Sequence, residues 1–422
     1  MRRLEPVETQ VLIELDGQPV SACKDENTAC ALLAAGQTVF SRSIKYHRPR
    51  GPFCMTGACA HCLMRVDGVP NIAVCQTRVH PGMRLERQNA FPSAQVDVFA
   101  ITDWLFPRGL NHHEMFAGVP IVEQVMAKVA RQLAGLGKLP DTPAPVRPMA
   151  VRLRCEVAII GAGAAGLAAA QTLEEAHRPY LLIEREPFVG GRLVLAPLES
   201  GDPMAWVPPP ERVRLDSTVI GLFEDAEGRF LAVSDGVQLT KLYPQQILLA
   251  NGGHPQLTTF ENNDLPGVFA ARAVSRMIRQ HRLLPGEQIA VVGEPGEAQA
   301  LAALIASVGG SAVAVGTHPV SAHGLSTVSG VTVRINGREV KLDCDAIAVC
   351  APLAPSFELA RQGGAHVGWR EAQGVFTVEA DDEGRTSTQG LFVAGEVTGP
   401  MSAAVAARSG RRAAQSILDD AR

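Results

Sequence analysis

EVAIIGAGAAGLAAAQTLEEAHRPYLLIER, residues 156–185, decides the architecture of this chain. EVAII reads as a short apolar strand, GAGAAG as a loop, LAAAQTLEEA as a helix and YLLIER as a second strand. Strand, crossover helix and strand make a βαβ unit, which belongs to a parallel sheet in an α/β domain. Gly161, Gly163 and Gly166 follow the G-x-G-x-x-G spacing, and Glu184 closes the second strand. A bound dinucleotide uses each of these parts. The first glycine makes the turn, the second lets a pyrophosphate approach the backbone at the helix N-terminus, and the third lets the helix pack on the strand. The acid accepts from the ribose hydroxyls. A glycine-rich βα turn without a ligand is the competing reading.

The fingerprint alone does not separate FAD from NAD. Three later segments point to FAD. Gly190-Gly191-Arg192 lies just past the acid; LLANGG (248–253) resembles the strand end of flavoproteins with two dinucleotide-binding domains, with Asn251 where Thr is usual; and GLFVAGEVTG (390–399) resembles their C-terminal flavin segment, with Glu396 in place of the usual Asp. The candidate FAD contacts are Gly161, Gly163, Ala164, Gly166, Glu184, Arg185, Gly191, Arg192, Ala250, Asn251, Gly252, Gly395 and Glu396. The helix predicted after Gly399 would aim its positive end at the flavin ring.

A second strand–turn–helix–strand, QIAVV-GEPGEA-QALAALIASVG-SAVAVG, begins at Gln288 and suggests a loose internal duplication. Its fingerprint is broken. Gly293 is present, but Pro295 and Ala298 stand where glycines belong, Glu294 and Glu297 add negative charge, and Gly316-Thr317-His318 offers neither an acid nor an arginine for a nicotinamide nucleotide's ribose. NAD(P) binding is not expected there, and the segment reads as a retained structural domain.

Upstream, Cys54-x4-Cys59-x2-Cys62-x12-Cys75 gathers four of the nine cysteines into one short stretch. This is the plant-type [2Fe-2S] spacing, in which four thiolates ligate two irons. A structural zinc site and disulfides are the alternatives; zinc sites usually show two close cysteine pairs, and here there is one. Strand-like alternation over residues 9–20 with an Asp16-Gly17 turn, a short helix over 28–35, and a Leu63–Val66 strand before Asp67-Gly68 match the β-grasp fold that presents such a loop. Cys23, Cys30, Cys155, Cys344 and Cys350 read as buried small hydrophobes. The basic run Lys45–Arg50 reads as a solvated or FAD-adjacent loop, with partner docking as a lesser alternative.

The chain of 422 residues suits several domains, and 46% hydrophobic with 19% charged residues can bury cores. A net charge of −4 gives no reason to expect nucleic acid or an anionic membrane as partner. The opening MRRLEPVETQVLIELDG lacks an apolar run, so no signal peptide is expected. Nor is a membrane span, and the expected location is cytoplasmic. The predicted domains are a ferredoxin-like [2Fe-2S] domain (1–100), a linker with one helix at 122–136 and a proline-rich end (101–150), an FAD-binding domain (151–255 and 370–422), and a degenerate NAD-binding-like domain (256–369). The fold class is thus α/β, a Rossmann-like, two-dinucleotide-domain flavoprotein preceded by a β-grasp domain. The flavin half has no C-x-x-C pair, which excludes a thioredoxin-reductase-type disulfide relay, and adjacent His112-His113 reads as surface or linker.

SRSIKYHRPRG (41–51) resembles the N-terminal segment of the alpha subunit of heterotetrameric sarcosine oxidase, and FCMTGACAHCLMRVDGVPNIAVC (53–75) resembles the small ferredoxin-like component of hydrogen cyanide synthase, opine oxidase and D-hydroxyproline dehydrogenase systems. The flavin half resembles the alpha subunits of both groups. The resemblance implies an electron-transfer subunit. A separate flavoprotein beta subunit, similar to D-amino acid oxidase, would oxidise a C–N bond, and a further small subunit is a second candidate partner. The catalytic residues and the terminal acceptor are unknown. The folate-binding C-terminal half of sarcosine oxidase alpha and the cysteine-rich C-terminal cluster domain of many opine-oxidase-type subunits are not expected in a sequence that ends at Arg422. A self-sufficient NAD(P)H-dependent flavin reductase with a ferredoxin outlet, and a non-catalytic scaffold, are the rival functions.

Overall fold

The computed structural model describes residues 1–6, 9–44, 46–90, 92–101, 149–194 and 206–420. The predicted 122–136 helix, most of the proline-rich linker and His112-His113 lie outside the described residues. The chain forms two compact units, Met1–Ala144 with Leu257–Ala351, and Pro145–Gln256 with Pro352–Arg422.

In the first unit, residues 10–86 build a five-stranded sheet in the order Gln18–Cys23, Gln10–Leu15, Arg84–Glu86, Leu63–Val66, Val69–Ala73. The hairpin between the first two strands turns at Asp16-Gly17, both with positive φ, as a two-residue type I′ loop requires. Ile13 and Leu15 are buried while Leu12 and Glu14 are exposed, the period-2 pattern of a strand with one face on the core. That core is closed by the Thr28–Ala34 helix, capped by the Asn27 side chain, which accepts from Cys30 N at 3.2 Å. This is the β-grasp arrangement.

The other part of the first unit is a four-stranded parallel sheet, Val268–Ala270, Ala346–Cys350, Gln288–Gly293 and Ser311–Val315, with helices Ala271–Arg279 and Pro295–Ser307 and an antiparallel three-stranded sheet over 319–343. One hydrophobic core runs through both parts, from Ile13, Leu32 and Met64 to Phe269, Val291 and Ile347. The N-terminal Arg2–Arg3 pairs as a strand with Leu283–Leu284. The ferredoxin-like segment and the nucleotide-like segment are therefore one folded body.

The second unit is built on a sheet in which Val151–Ile160 is flanked in parallel by Tyr180–Ile183 and by Leu239–Leu249, with Leu391–Val393 parallel to the last of these. Gly228–Ser234 and Thr218–Asp225 extend it as antiparallel strands beyond Leu239–Leu249. The Ala164–Glu175 helix crosses between the first two strands and packs against the Ala403–Asp419 helix. The contact rests on small residues. Ala406, Ala407, Gly410, Ala413 and Ala414 face inward, and a Cβ on Gly410 would lie 2.0 Å from Ala165 O. The boundary between units falls at Ala351 rather than at residue 369, because Leu353–Pro355 already pairs with Gly253–Pro255 at the end of the central FAD-domain strand.

Candidate cofactor sites

The predicted cluster cysteines come from the loop before the Leu63–Val66 strand and the turn after Val69–Ala73. Cys54, Cys62 and Cys75 are buried and Cys59 is half-buried. The loop coils tightly, with Met55 and Gly57 at positive φ. Thr56 N–H points at Cys54 Sγ at 3.4 Å, and the Gln76 side chain donates to Cys75 O at 2.9 Å and lies over Gly57. Asn27, the helix cap, also donates to Cys75 O at 2.7 Å, tying the fourth cysteine to the helix.

The four thiols act on one another. The neighbouring thiols of Cys59 and Cys75 hold Cys54 far below the usual thiol range, and Cys75 also lowers Cys62. Cys59 and Cys75 are correspondingly pushed up, by those thiol neighbours and then by burial. The described residues contain no group of three or more His, Cys, Asp or Glu shaped for one metal ion; a two-iron cluster asks instead for two thiolates at each of two centres. Thr56 Oγ1, buried in this loop, has no protein partner. The donor set, its burial and the orphaned hydroxyl fit a [2Fe-2S] cluster.

In the second unit Gly161 has φ +100°, and a Cβ there would sit 2.5 Å from Ala250 O, so only glycine makes this turn. A Cβ on Gly166 would lie 1.8 Å from Gly161 O, the close helix–strand approach expected of the third glycine. Gly163 differs: it caps the Ala164–Glu175 helix in an extended conformation, and a Cβ on it meets nothing within 4 Å. That open space lies at the helix N-terminus, where backbone N–H groups favour an anion. The fingerprint glycines thus divide into two that the fold needs, Gly161 and Gly166, and one, Gly163, with open space beside it.

Glu184 lies just past the Tyr180–Ile183 strand and is buried. Its carboxylate already accepts from Ala162 N at 2.7 Å and Glu186 N at 2.9 Å. Burial pushes this carboxyl up, and the two backbone donors pull against it. Each oxygen keeps a lone pair for a ribose hydroxyl. Asn251 Nδ2 donates to Ser356 O at 2.8 Å, while its buried Oδ1 has no protein partner beside Gly161. Gly191 approaches Gly163, and Gly395 approaches Ala165. The residues that follow them, Arg192 and Glu396, form an ion pair. Glu396, expected to meet the ribityl chain directly, thus pairs with another predicted cofactor residue. Its backbone neighbour Gly395 is fixed by Ser409 Oγ, which accepts from Gly395 N at 2.9 Å. Sequence reading missed Ser409; its only signal was its place in the small-residue face of the last helix. The helix cradle, the orphaned amide oxygen and the buried acid fit FAD.

The second fingerprint has the strand and helix but not the cradle. Glu294 caps the Pro295–Ser307 helix with its own side chain, accepting from Gly296 N at 3.1 Å and Glu297 N at 2.6 Å. These are donors that a pyrophosphate would use. The Pro295 ring packs where a Cβ on Gly316 would meet it at 3.0 Å, at the end of the next strand.

The basic run is not a solvated loop. His47 is 2% exposed and bonds Asp97 at 2.7 Å through Nδ1; Arg48 makes two bonds of 2.9 Å to the Asp264 carboxylate; Arg50 pairs with the same carboxylate at 3.0 Å. Lys45 lies outside the described residues.

Comparison with known proteins identifies both domains. A 2Fe-2S iron-sulfur cluster binding domain model matches residues 8–90, and a pyridine nucleotide-disulphide oxidoreductase model matches residues 155–315. The alpha subunit of sarcosine oxidase from Rhizobium meliloti is 25% identical over 96% of this chain and 45% of its own length. The HcnA component of hydrogen cyanide synthase from Pseudomonas aeruginosa is 40% identical over 18% of this chain and 73% of its own. Opine oxidase A from Rhizobium meliloti is 24% identical over 62% of this chain and 70% of its own. The chain thus spans under half the length of the sarcosine oxidase alpha subunits it matches. The crystal structure of L-proline dehydrogenase from P. horikoshii shares the fold, with a TM-score of 0.76 over the whole chain and 76% of the other, at 22% identity. No helix among the described residues is long and apolar enough to cross a membrane.

Proposed function

We propose that this chain, which belongs to the family of sarcosine oxidase alpha, opine oxidase A and HcnA homologues, is the electron-transfer subunit of a hetero-oligomeric amine or amino-acid dehydrogenase or oxidase. It is an oxidoreductase with a [2Fe-2S] domain and an FAD-dependent domain. Bound FAD exchanges electrons in pairs or singly and the cluster singly, which suits a relay. In this reading Cys54, Cys59, Cys62 and Cys75 hold the cluster. The Gly163 end of the Ala164–Glu175 helix takes the FAD pyrophosphate, Glu184 its ribose, and Asn251, Arg192 and Glu396 its flavin side.

The observation that carries the proposal is the self-capped helix at Glu294. A carboxylate already bonded to the N–H groups of that helix repels a second anion and leaves it no donors. Reducing equivalents from NAD(P)H would need that site. They are supplied instead by a partner, and the relatives' names point to sarcosine and opines as the class of donor. A beta subunit similar to D-amino acid oxidase would oxidise the C–N bond, and this chain would bind it and pass the electrons to an acceptor. The test is expression with and without the candidate partner, followed by assay of sarcosine, proline, hydroxyproline, opines and glycine with an artificial acceptor. Turnover is expected only with the partner. Turnover by the isolated chain, or rapid bleaching of its flavin by NADH, would overturn the assignment.

A further inference from the structure

A domain that has lost its ligand site is normally free to be lost itself. Here it carries the iron–sulfur domain. Four kinds of contact join them within the first unit. Arg2–Arg3 adds a strand to Leu283–Leu284, and Arg2 pairs with Glu287 at 3.0 Å. The chain just before the first cluster cysteine docks by backbone, Ala270 N donating to Phe53 O at 3.1 Å, where Ala270 is the N-cap of the Ala271–Arg279 helix. Gly51 lies so close to the nucleotide-like part that a Cβ would touch Pro266 at 3.0 Å. Between these, Asp264 binds both Arg48 and Arg50, just ahead of Cys54 in the chain, and Arg48 also donates to Asn262 at 2.8 Å.

Asp264 is the pivot of this contact. Its side chain is 14% exposed, and despite burial the two arginines hold its carboxyl below the usual range. Arg50 lies within electrostatic reach of Cys59, and both Arg50 and Asp264 act on His61, between the second and third cluster cysteines. The group therefore does two things: it anchors the strand that leads into the cluster loop, and it sets the charge beside that loop.

We propose that the nucleotide-like domain has become the seat of the iron–sulfur domain and that Asp264 is a positioning residue for the cluster, fixing its loop through Arg48 and Arg50. The inference rests on the assignment of Cys54, Cys59, Cys62 and Cys75 to the cluster. A cluster's reduction potential follows the net charge around it as well as its exposure. Removing the Asp264 charge makes the surroundings of the loop more positive by one charge, which favours the reduced cluster; removing Arg50 does the reverse.

The test uses the full chain loaded with FAD and iron. Asp264→Asn keeps the side-chain shape and removes the charge; Arg50→Gln removes the opposite charge at the same contact; Asp264→Glu is the conservative rescue. Iron and FAD content are measured first, then the cluster midpoint potential by EPR-monitored redox titration, then release of the N-terminal segment by limited proteolysis. Asp264→Asn is expected to retain iron and FAD, shift the midpoint potential upward, and speed cleavage by roughly tenfold, the equivalent of one lost charge-assisted hydrogen bond. Arg50→Gln is expected to shift the potential downward, and Asp264→Glu to restore most of both properties. Shifts of the same sign in the two charge variants, or unchanged potential and cleavage with iron retained, would overturn the inference while leaving the relay reading intact. A wild-type protein without iron would sink both.

Discussion

Gly163 and Gly166 occupy one loop, and alanine should affect them in opposite ways. At Gly163 the φ of −77° is open to any L-residue, and a new Cβ meets no protein atom within 4 Å. The cost to the fold is the poorer capping of a helix by alanine, about 1 kcal/mol. The cost to FAD is larger. A methyl in the pyrophosphate space costs about 1–3 kcal/mol as overpacking, and moving the phosphate off one backbone N–H costs about 1.5–3 kcal/mol more. Together these weaken binding by roughly 10²–10⁴-fold. At Gly166 the Cβ would sit 1.8 Å from Gly161 O, a backbone atom that cannot move without opening the helix from the strand. Gly166→Ala should therefore lose the folded domain, not merely the cofactor. The assay is thermal unfolding of FAD-stripped protein, followed by titration of FAD monitored through flavin fluorescence. Gly163→Ala should melt within a few degrees of stripped wild type and fail to retain FAD on gel filtration. A Gly163→Ala protein that keeps stoichiometric FAD would show that the pyrophosphate lies elsewhere, and a Gly166→Ala protein as stable as wild type would refute the packing argument.

The two other sites give sharper chemical tests. Cys59→Ser should lose most of the iron and the reduced-cluster EPR signal while FAD content stays at the wild-type level, since the proposed flavin contacts, between 161 and 192, at 250–252 and at 395–396, do not include the cluster loop; zinc in place of iron in anaerobically purified wild type would refute the cluster. Glu294→Ala should lower stability by about 1 kcal/mol through the lost helix cap and still not permit rapid reduction of the flavin by NADH, because Pro295 and the missing ribose acid remain; stopped-flow bleaching by NADH in this variant would show that Glu294 alone closes the site.

What could be read from the sequence divides by distance along the chain. The flavin fingerprint runs only from Gly161 to Glu184, and its parts are fixed by one local βαβ crossover, so spacing alone brings Gly161, Gly163, Gly166 and Glu184 together. The cluster cysteines are local in the same sense. The departures of the second fingerprint were legible as Pro295 and Ala298, but the cap was not: that Glu294 turns back onto the helix depends on a rotamer, and composition shows only its charge. Arg48 and Asp264 are 216 residues apart, and Arg192 and Glu396 are 204 apart. No periodicity links such pairs, and a basic run is solvated in most surface loops. The structure makes it otherwise because Asp264, across the domain contact, takes Arg48 and Arg50 while Asp97 takes His47. The retained nucleotide-like fold follows from the same economy of burial. Phe269, Val291 and Ile347 share a core with Leu32 and Met64, so deleting the nucleotide-like part would expose the apolar face that the iron–sulfur domain rests on. A ligand site and a packing face are separate properties of a domain, and burial holds the second in place whatever becomes of the first.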